Sequence, residues 1–138
     1  MIEIKNAIRL IQKNKIENVF YLKGDDQFLQ NFFIQKLCDF IFLDNNVSKV
    51  LLTPNEMSGK EIIEQILYTD LFNSKKLFIL RDPQQLKGKV SKDLLNYCIQ
   101  PIPAHFLVLI NDNFMDKSAF SKSEVLKEKT VNVSTPFV

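Results

Sequence analysis

Apolar residues recur along this chain in alternating rhythms, one helical and one extended. Residues 3–14 place Ile4, Ala7, Ile8 and Ile11 on one helical face. Val19-Phe-Tyr-Leu22 is a short β-favouring run ending at Lys23-Gly24, which predicts a first strand. Phe28, Leu29, Phe32, Phe33, Leu37, Phe40 and Ile41 then form the broad apolar stripe of a long helix. An aspartate at its start, Asp25 or Asp26, can accept from the unpaired helix amides. Lys49-Val-Leu-Leu52 predicts a second strand, closed by Pro54 because proline cannot donate to a sheet ladder. Ser58-Gly-Lys-Glu61 has the form of a capping box opening a helix that turns Ile62, Ile63, Ile66 and Leu67 inward. Leu77-Phe-Ile-Leu80 predicts a third strand, with a turn and loop over 84–90 after it. Ser91 is placed to cap a helix burying Leu94, Leu95, Cys98 and Ile99, which Pro101 and Pro103 stop.

Phe106-Leu-Val-Leu-Ile110 is apolar at five successive positions, the mark of a strand covered on both faces. Residues 116–127 predict a weaker helix, and Thr130-Val-Asn-Val133 a fifth strand. Strands alternating with helices imply an α/β fold: a mostly parallel five-stranded sheet with helices on both faces, in a single domain over residues 1–138. The tail, Ser134-Thr-Pro-Phe-Val138, ends with Phe137 and Val138 joining no element, so the chain is expected to be the first part of a longer protein.

Composition narrows the classes. At 46% hydrophobic and 25% charged residues the chain is globular rather than disordered. Twelve Phe and no Trp make phenylalanine the main bulky core residue. A net charge of +2 is too balanced to predict nucleic-acid binding, so DNA is expected to be contacted only weakly or indirectly. Cys38 and Cys98 lie among apolar residues far apart in sequence, which suits buried free thiols in a reducing, cytoplasmic compartment. The N-terminal segment is broken by charges and has no signal-peptide core, and no apolar run approaches membrane-spanning length, so no membrane partner is expected.

Catalytic signatures are missing. The loop Lys23-Gly-Asp-Asp-Gln-Phe28 stands where an α/β sheet would hold a nucleotide, but it has one glycine and no Gly-Lys-Ser/Thr, so no nucleotide cofactor is expected. Asp25, Asp26, Asp82 and Asp112 all fall near strand ends. Such carboxylates could hold Mg²⁺ and accept a phosphoryl group, as in a receiver-like phosphotransfer domain; equally they could cap a helix and start turns. No Ser or Thr directly follows Ile110, and no Lys-Pro follows the last strand, both of which a receiver site would want. His105, the one histidine, reads as a turn residue between Pro103 and a strand.

Leu71 and Phe72 sit side by side before Asn73-Ser74. Ile63, Leu67 and Leu71 are four apart, so Leu71 could extend the core stripe with Phe72 stapling the turn. Alternatively both project into a partner's pocket, withholding roughly 1.5–3 kcal/mol of burial each from the free domain. Spacing leaves both readings open.

Three stretches carry a family resemblance: "FYLKGDDQFL" at 20–29, "TDLFNSKKLFILRDPQQLK" at 69–87 and "YCIQPIPAHFLVLI" at 97–110. Their order resembles the N-terminal domain of the delta subunit of the bacterial DNA polymerase III clamp loader, over nearly the whole chain. The resemblance implies the fold of the clamp-loader ATPases (RecA-like) without a functional P-loop. It implies a non-catalytic subunit of the DNA polymerase III assembly, which binds the ring-shaped sliding clamp (the beta subunit) and opens it for loading on primed DNA. The family's clamp-binding Leu-Phe pair falls on Leu71 and Phe72, with Asp70, Lys75 and Lys76 as rim contacts at most. The helix from Ser58 would be the lever that carries them. Partners of the longer protein would be the gamma/tau and delta-prime subunits. The zinc-ligand cysteines and Ser-Arg-Cys motif of the delta-prime family are not present in this chain.

Overall fold

In a computed structural model, described over residues 1–44 and 46–134, the elements alternate as the apolar rhythm requires. They are β1 (Ile2–Glu3), α1 (Ile4–Gln12), β2 (Val19–Lys23), α2 (Gln27–Ile41), β3 (Lys49–Leu52) and α3 (Gly59–Leu67). After these come β4 (Lys76–Arg81), a 3₁₀ turn (Pro83–Gln85), α4 (Lys89–Ile99), β5 (His105–Asn111), α5 (Glu124–Lys127) and β6 (Thr130–Asn132). The strands form one sheet in the order β1-β6-β2-β5-β4-β3, and every neighbouring pair is parallel.

Side-chain alternation divides the core into two layers. Phe20 and Leu22 of β2, Leu77 and Ile79 of β4, and Val108 and Ile110 of β5 face α1 and α2, where Ala7, Ile11, Phe33, Ile34, Leu37 and Ile41 cover them. Val19, Tyr21, Phe78, Leu80, Leu107 and Leu109 face the other way, under Ile62 and Ile66 of α3, Leu94 and Cys98 of α4, and Leu126 of α5. The result is a three-layer α/β/α arrangement with β5 covered on both faces, as its unbroken apolar run requires. Both cysteines are free and buried, and burial pushes the Cys98 thiol up to about 12. No described helix is long and apolar enough to cross a membrane.

The structure corrects several sequence expectations. The sheet has six described strands rather than five: Ile2 and Glu3 pair with Val131 and Asn132 of β6, and the helix expected from residue 3 starts one residue later. Two residues are too few to show a period of two, so β1 exists only through its long-range partner. α4 starts at Lys89 behind Gly88, which adopts φ 65°, rather than at Ser91. The helix expected over 116–127 shrinks to α5. Upstream of it, Asn113 Oδ1 accepts from the Met115 amide (3.1 Å) and Asp116 Oδ1 from the Ser118 amide (3.0 Å). Ser118 Oγ in turn accepts from the Ser121 amide (3.2 Å). Short polar side chains that bond nearby amides offer the backbone an alternative to helix, and here they win. His105 is no turn residue: it is the first residue of β5 and is buried. Phe137 and Val138 lie outside the described residues.

Candidate partner-binding site

α3 begins as its sequence predicts, with Ser58 Oγ accepting from the Glu61 amide at 3.2 Å. It ends at Leu67 because Tyr68 turns to extended backbone (φ −72°, ψ 126°). The four-residue spacing of Ile63, Leu67 and Leu71 therefore does not build one helical stripe, since the chain has left the helix before Leu71. Beyond the helix, Asp70 builds a turn. Its Oδ1 accepts from the amides of Phe72 (3.1 Å) and Ser74 (3.0 Å), and its carbonyl accepts from the Asn73 amide at 3.2 Å. Asn73 adopts φ 50°, a left-handed conformation that asparagine tolerates better than most residues. The bonds from Ser74, first its amide, then those from Phe72 and the nearby Lys76 charge, hold the Asp70 carboxyl below its ordinary 3.8.

Leu71 is 99% exposed and Phe72 is 88% exposed. The turn beneath them is closed by hydrogen bonds, yet neither side chain is covered by its own domain. The reading in which they plug the core does not hold. Leu67 and Tyr68 are also exposed, so the apolar surface continues from the tip onto the last turn of α3. The charged residues around the tip make contacts within the domain. Lys76 Nζ stands 5.0 Å from the centre of the Tyr68 ring, in cation–π range. Lys75 Nζ lies 3.5 Å from the Ile41 carbonyl at the end of α2. A groove lined by Phe42, Leu43, Asp44, Ser48, Asp70 and Lys75 runs beside the tip, with Leu43 exposed along it.

One supporting residue carries no signal in the pattern. His105 Nδ1 lies 2.7 Å from the carbonyl oxygen of Ile66, in the final turn of α3. A histidine at the head of an apolar run looks the same whether it faces water or a helix end, so sequence reasoning had nothing to find.

The opposite edge of the sheet, where the strands end, is closed. Gly24 adopts φ 139°, and a Cβ there would stand 2.3 Å from the Ser134 nitrogen. Two amides of this loop are turned onto protein carbonyls, Gly24 onto Asn111 (2.9 Å) and Asp26 onto Val133 (3.1 Å). A phosphate cradle needs such amides free. Gln30, fully buried, fills the adjacent space by donating to the Gly24 carbonyl (2.8 Å) and to Asp112 Oδ1 (2.7 Å). Arg81 donates to Gln30 Oε1 at 3.3 Å and pairs with Asp112 at 3.7 Å. The four strand-end aspartates are not gathered. Asp26 accepts from the Leu29 amide as the cap of α2, Asp25 is exposed, Asp82 accepts from Gln84 Nε2, and Asp112 faces Gln30 and Arg81. Among the described residues no group of three or more His, Cys, Asp or Glu side chains is arranged to hold a metal ion. The receiver-like reading of Asp25, Asp26 and Asp82 therefore gains no support.

No protein-family model matches the chain, and the comparison with curated proteins gives no match. Solved structures do match. The chain is similar to the Bacillus subtilis DNA clamp loader delta protein, with a TM-score of 0.72 and 16% identity over 96% of this chain and 42% of that one. It is also similar to a DNA polymerase III gamma subunit-related protein from Thermotoga maritima, with a TM-score of 0.54 and 12% identity over 98% of this chain and 46% of that one. The chain spans less than half the length of either structure. At such identities the likeness carries the fold: this chain has the α/β architecture of clamp-loader domains.

Proposed function

We propose that this chain is the clamp-binding domain of a clamp-loader delta subunit. It seizes a bacterial sliding clamp with Leu71 and Phe72 and favours the opened ring over the closed one, so that the ring can be placed on primed DNA. The domain performs no chemistry in this reading, and residues 1–138 act as one unit of a longer protein that also meets the gamma/tau and delta-prime subunits. The observation that carries the reading is the exposed Leu71–Phe72 pair on a hydrogen-bonded turn, within a fold shared with a clamp loader delta protein. Small apolar anchors of this kind serve as interface hot spots because docking removes their whole surface from water. The turn is already formed, so little ordering is required on binding. Opening follows only from differential affinity, since a ligand indifferent to the two ring states shifts neither.

The test is a titration of the 138-residue chain into purified bacterial sliding clamp carrying a fluorophore pair across one ring interface. Binding together with increased separation of the pair is expected. Binding without separation would overturn the opening role, and no binding would overturn the reading as a whole.

A further inference from the structure

We propose that His105 is a positioning residue that fastens the incoming end of the tip loop to the head of β5, beside the point where the outgoing end is held, and so sets the angle at which Leu71 and Phe72 are presented. Its side chain reaches the incoming end. The last carbonyls of a helix have no partner within the helix, and that of Ile66 is met by His105 Nδ1 at 2.7 Å. A carbonyl can only accept, so Nδ1 carries the hydrogen. The outgoing end is held beside it: Lys76, the first residue of β4 after the loop, stands in register with His105, whose own amide donates to the Ile102 carbonyl. The adjacent Lys76 amide donates to the Ala104 carbonyl at 3.1 Å. The chain thus leaves the core at Ile66 and re-enters at Lys76, and both points are held at the same place on the head of β5.

The grip is itself braced. The ring of His105 is 1% exposed and packs edge-on against Phe78, with centroids 5.2 Å apart. Asn18 Nδ2 reaches the carbonyl oxygens of Pro103 and His105, each at 3.0 Å, which fixes the head of β5 from the β2 side. The Tyr97 hydroxyl accepts from the Ile102 amide at 3.3 Å. A tip anchored only through its own turn could swing on Tyr68 and Thr69. Fastening the chain at Ile66 and at Lys76 confines that swing to the short stretch between them. The inference deepens the clamp-binding reading and rests on it for its affinity arm only.

The experiment measures amide hydrogen exchange over residues 66–76, and clamp affinity, in His105→Phe and His105→Asn variants of the 138-residue chain. Phenylalanine keeps the ring against Phe78 but removes the donor, while asparagine offers an amide nitrogen where Nδ1 stands. His105→Phe is expected to raise exchange across 66–76 on the order of tenfold, the scale of one lost hydrogen bond to a buried carbonyl. Exchange in β2 and α2 should be little changed, clamp affinity should fall, and His105→Asn should recover part of both losses. Unchanged exchange at the tip, or faster exchange everywhere alike, overturns the proposal. If the native chain does not bind the clamp, the function reading fails alone, because the exchange arm needs no partner.

Discussion

Replacing Leu71 and Phe72 together with alanine separates folding from the proposed binding, because the free domain buries neither side chain. In the free domain both side chains are almost fully exposed. Their removal deletes no core contact, and stability should stay within about 0.5 kcal/mol of the native value. For a domain of this size that is a melting shift of about 2 °C. Had the pair been packed inside, losing a core leucine and a core phenylalanine would remove roughly 5–10 kcal/mol, comparable to the whole stability of many domains. On docking the same exposure works the other way. Burying each side chain against a partner is worth about 1.5–3 kcal/mol, so the pair contributes roughly 3–6 kcal/mol. At 1.4 kcal/mol per decade the double variant should bind about 10²- to 10⁴-fold more weakly. Thermal melting and calorimetric titration against sliding clamp measure the two quantities on one preparation. A melting temperature lower by about 10 °C or more, or an unchanged Kd, would refute the reasoning.

Two further predictions concern the closed edge and the tip turn. Gly24→Ala forces a Cβ against the Val133–Ser134 backbone at a positive φ, so strain and overpacking together should destabilise the domain by about 2–6 kcal/mol in chemical denaturation; a neutral outcome would contradict the closure of that loop. Asp70 has its folded pKa depressed by bonds to its charged form, so its support of the turn is complete above the ordinary carboxylate value and is lost only as pH falls through the lower folded value. An NMR titration should therefore show the Phe72 and Ser74 amides moving below pH 3.8, and a midpoint above it would contradict the two hydrogen bonds.

Much of the scaffold is written in local pattern. β2, β4 and β5 are runs of consecutive apolar residues that only a doubly covered strand accommodates, and the Ser58 cap announces α3. What escaped the pattern depends on distant partners or on backbone detail. β1 exists because β6 lies beside it. The polar turns over 113–121 are chosen by side chains competing with helix hydrogen bonds, which apolar periodicity does not register. The site was half legible. The adjacency of Leu71 and Phe72 marks the place, but their exposure follows from Tyr68 leaving the helix and from Asp70 closing the turn; helical spacing does not decide between exposure and a core position. The support from His105 could be seen only once α3 and β5 stood side by side.

The most direct measurement places a photo-crosslinking aromatic residue at position 72 and maps its products on purified sliding clamp by mass spectrometry. The account predicts efficient crosslinks confined to one hydrophobic pocket of the clamp surface, suppressed by excess native chain. Crosslinks scattered over the clamp, or absent while the same group at the exposed Phe28 of α2 reacts efficiently, would contradict it.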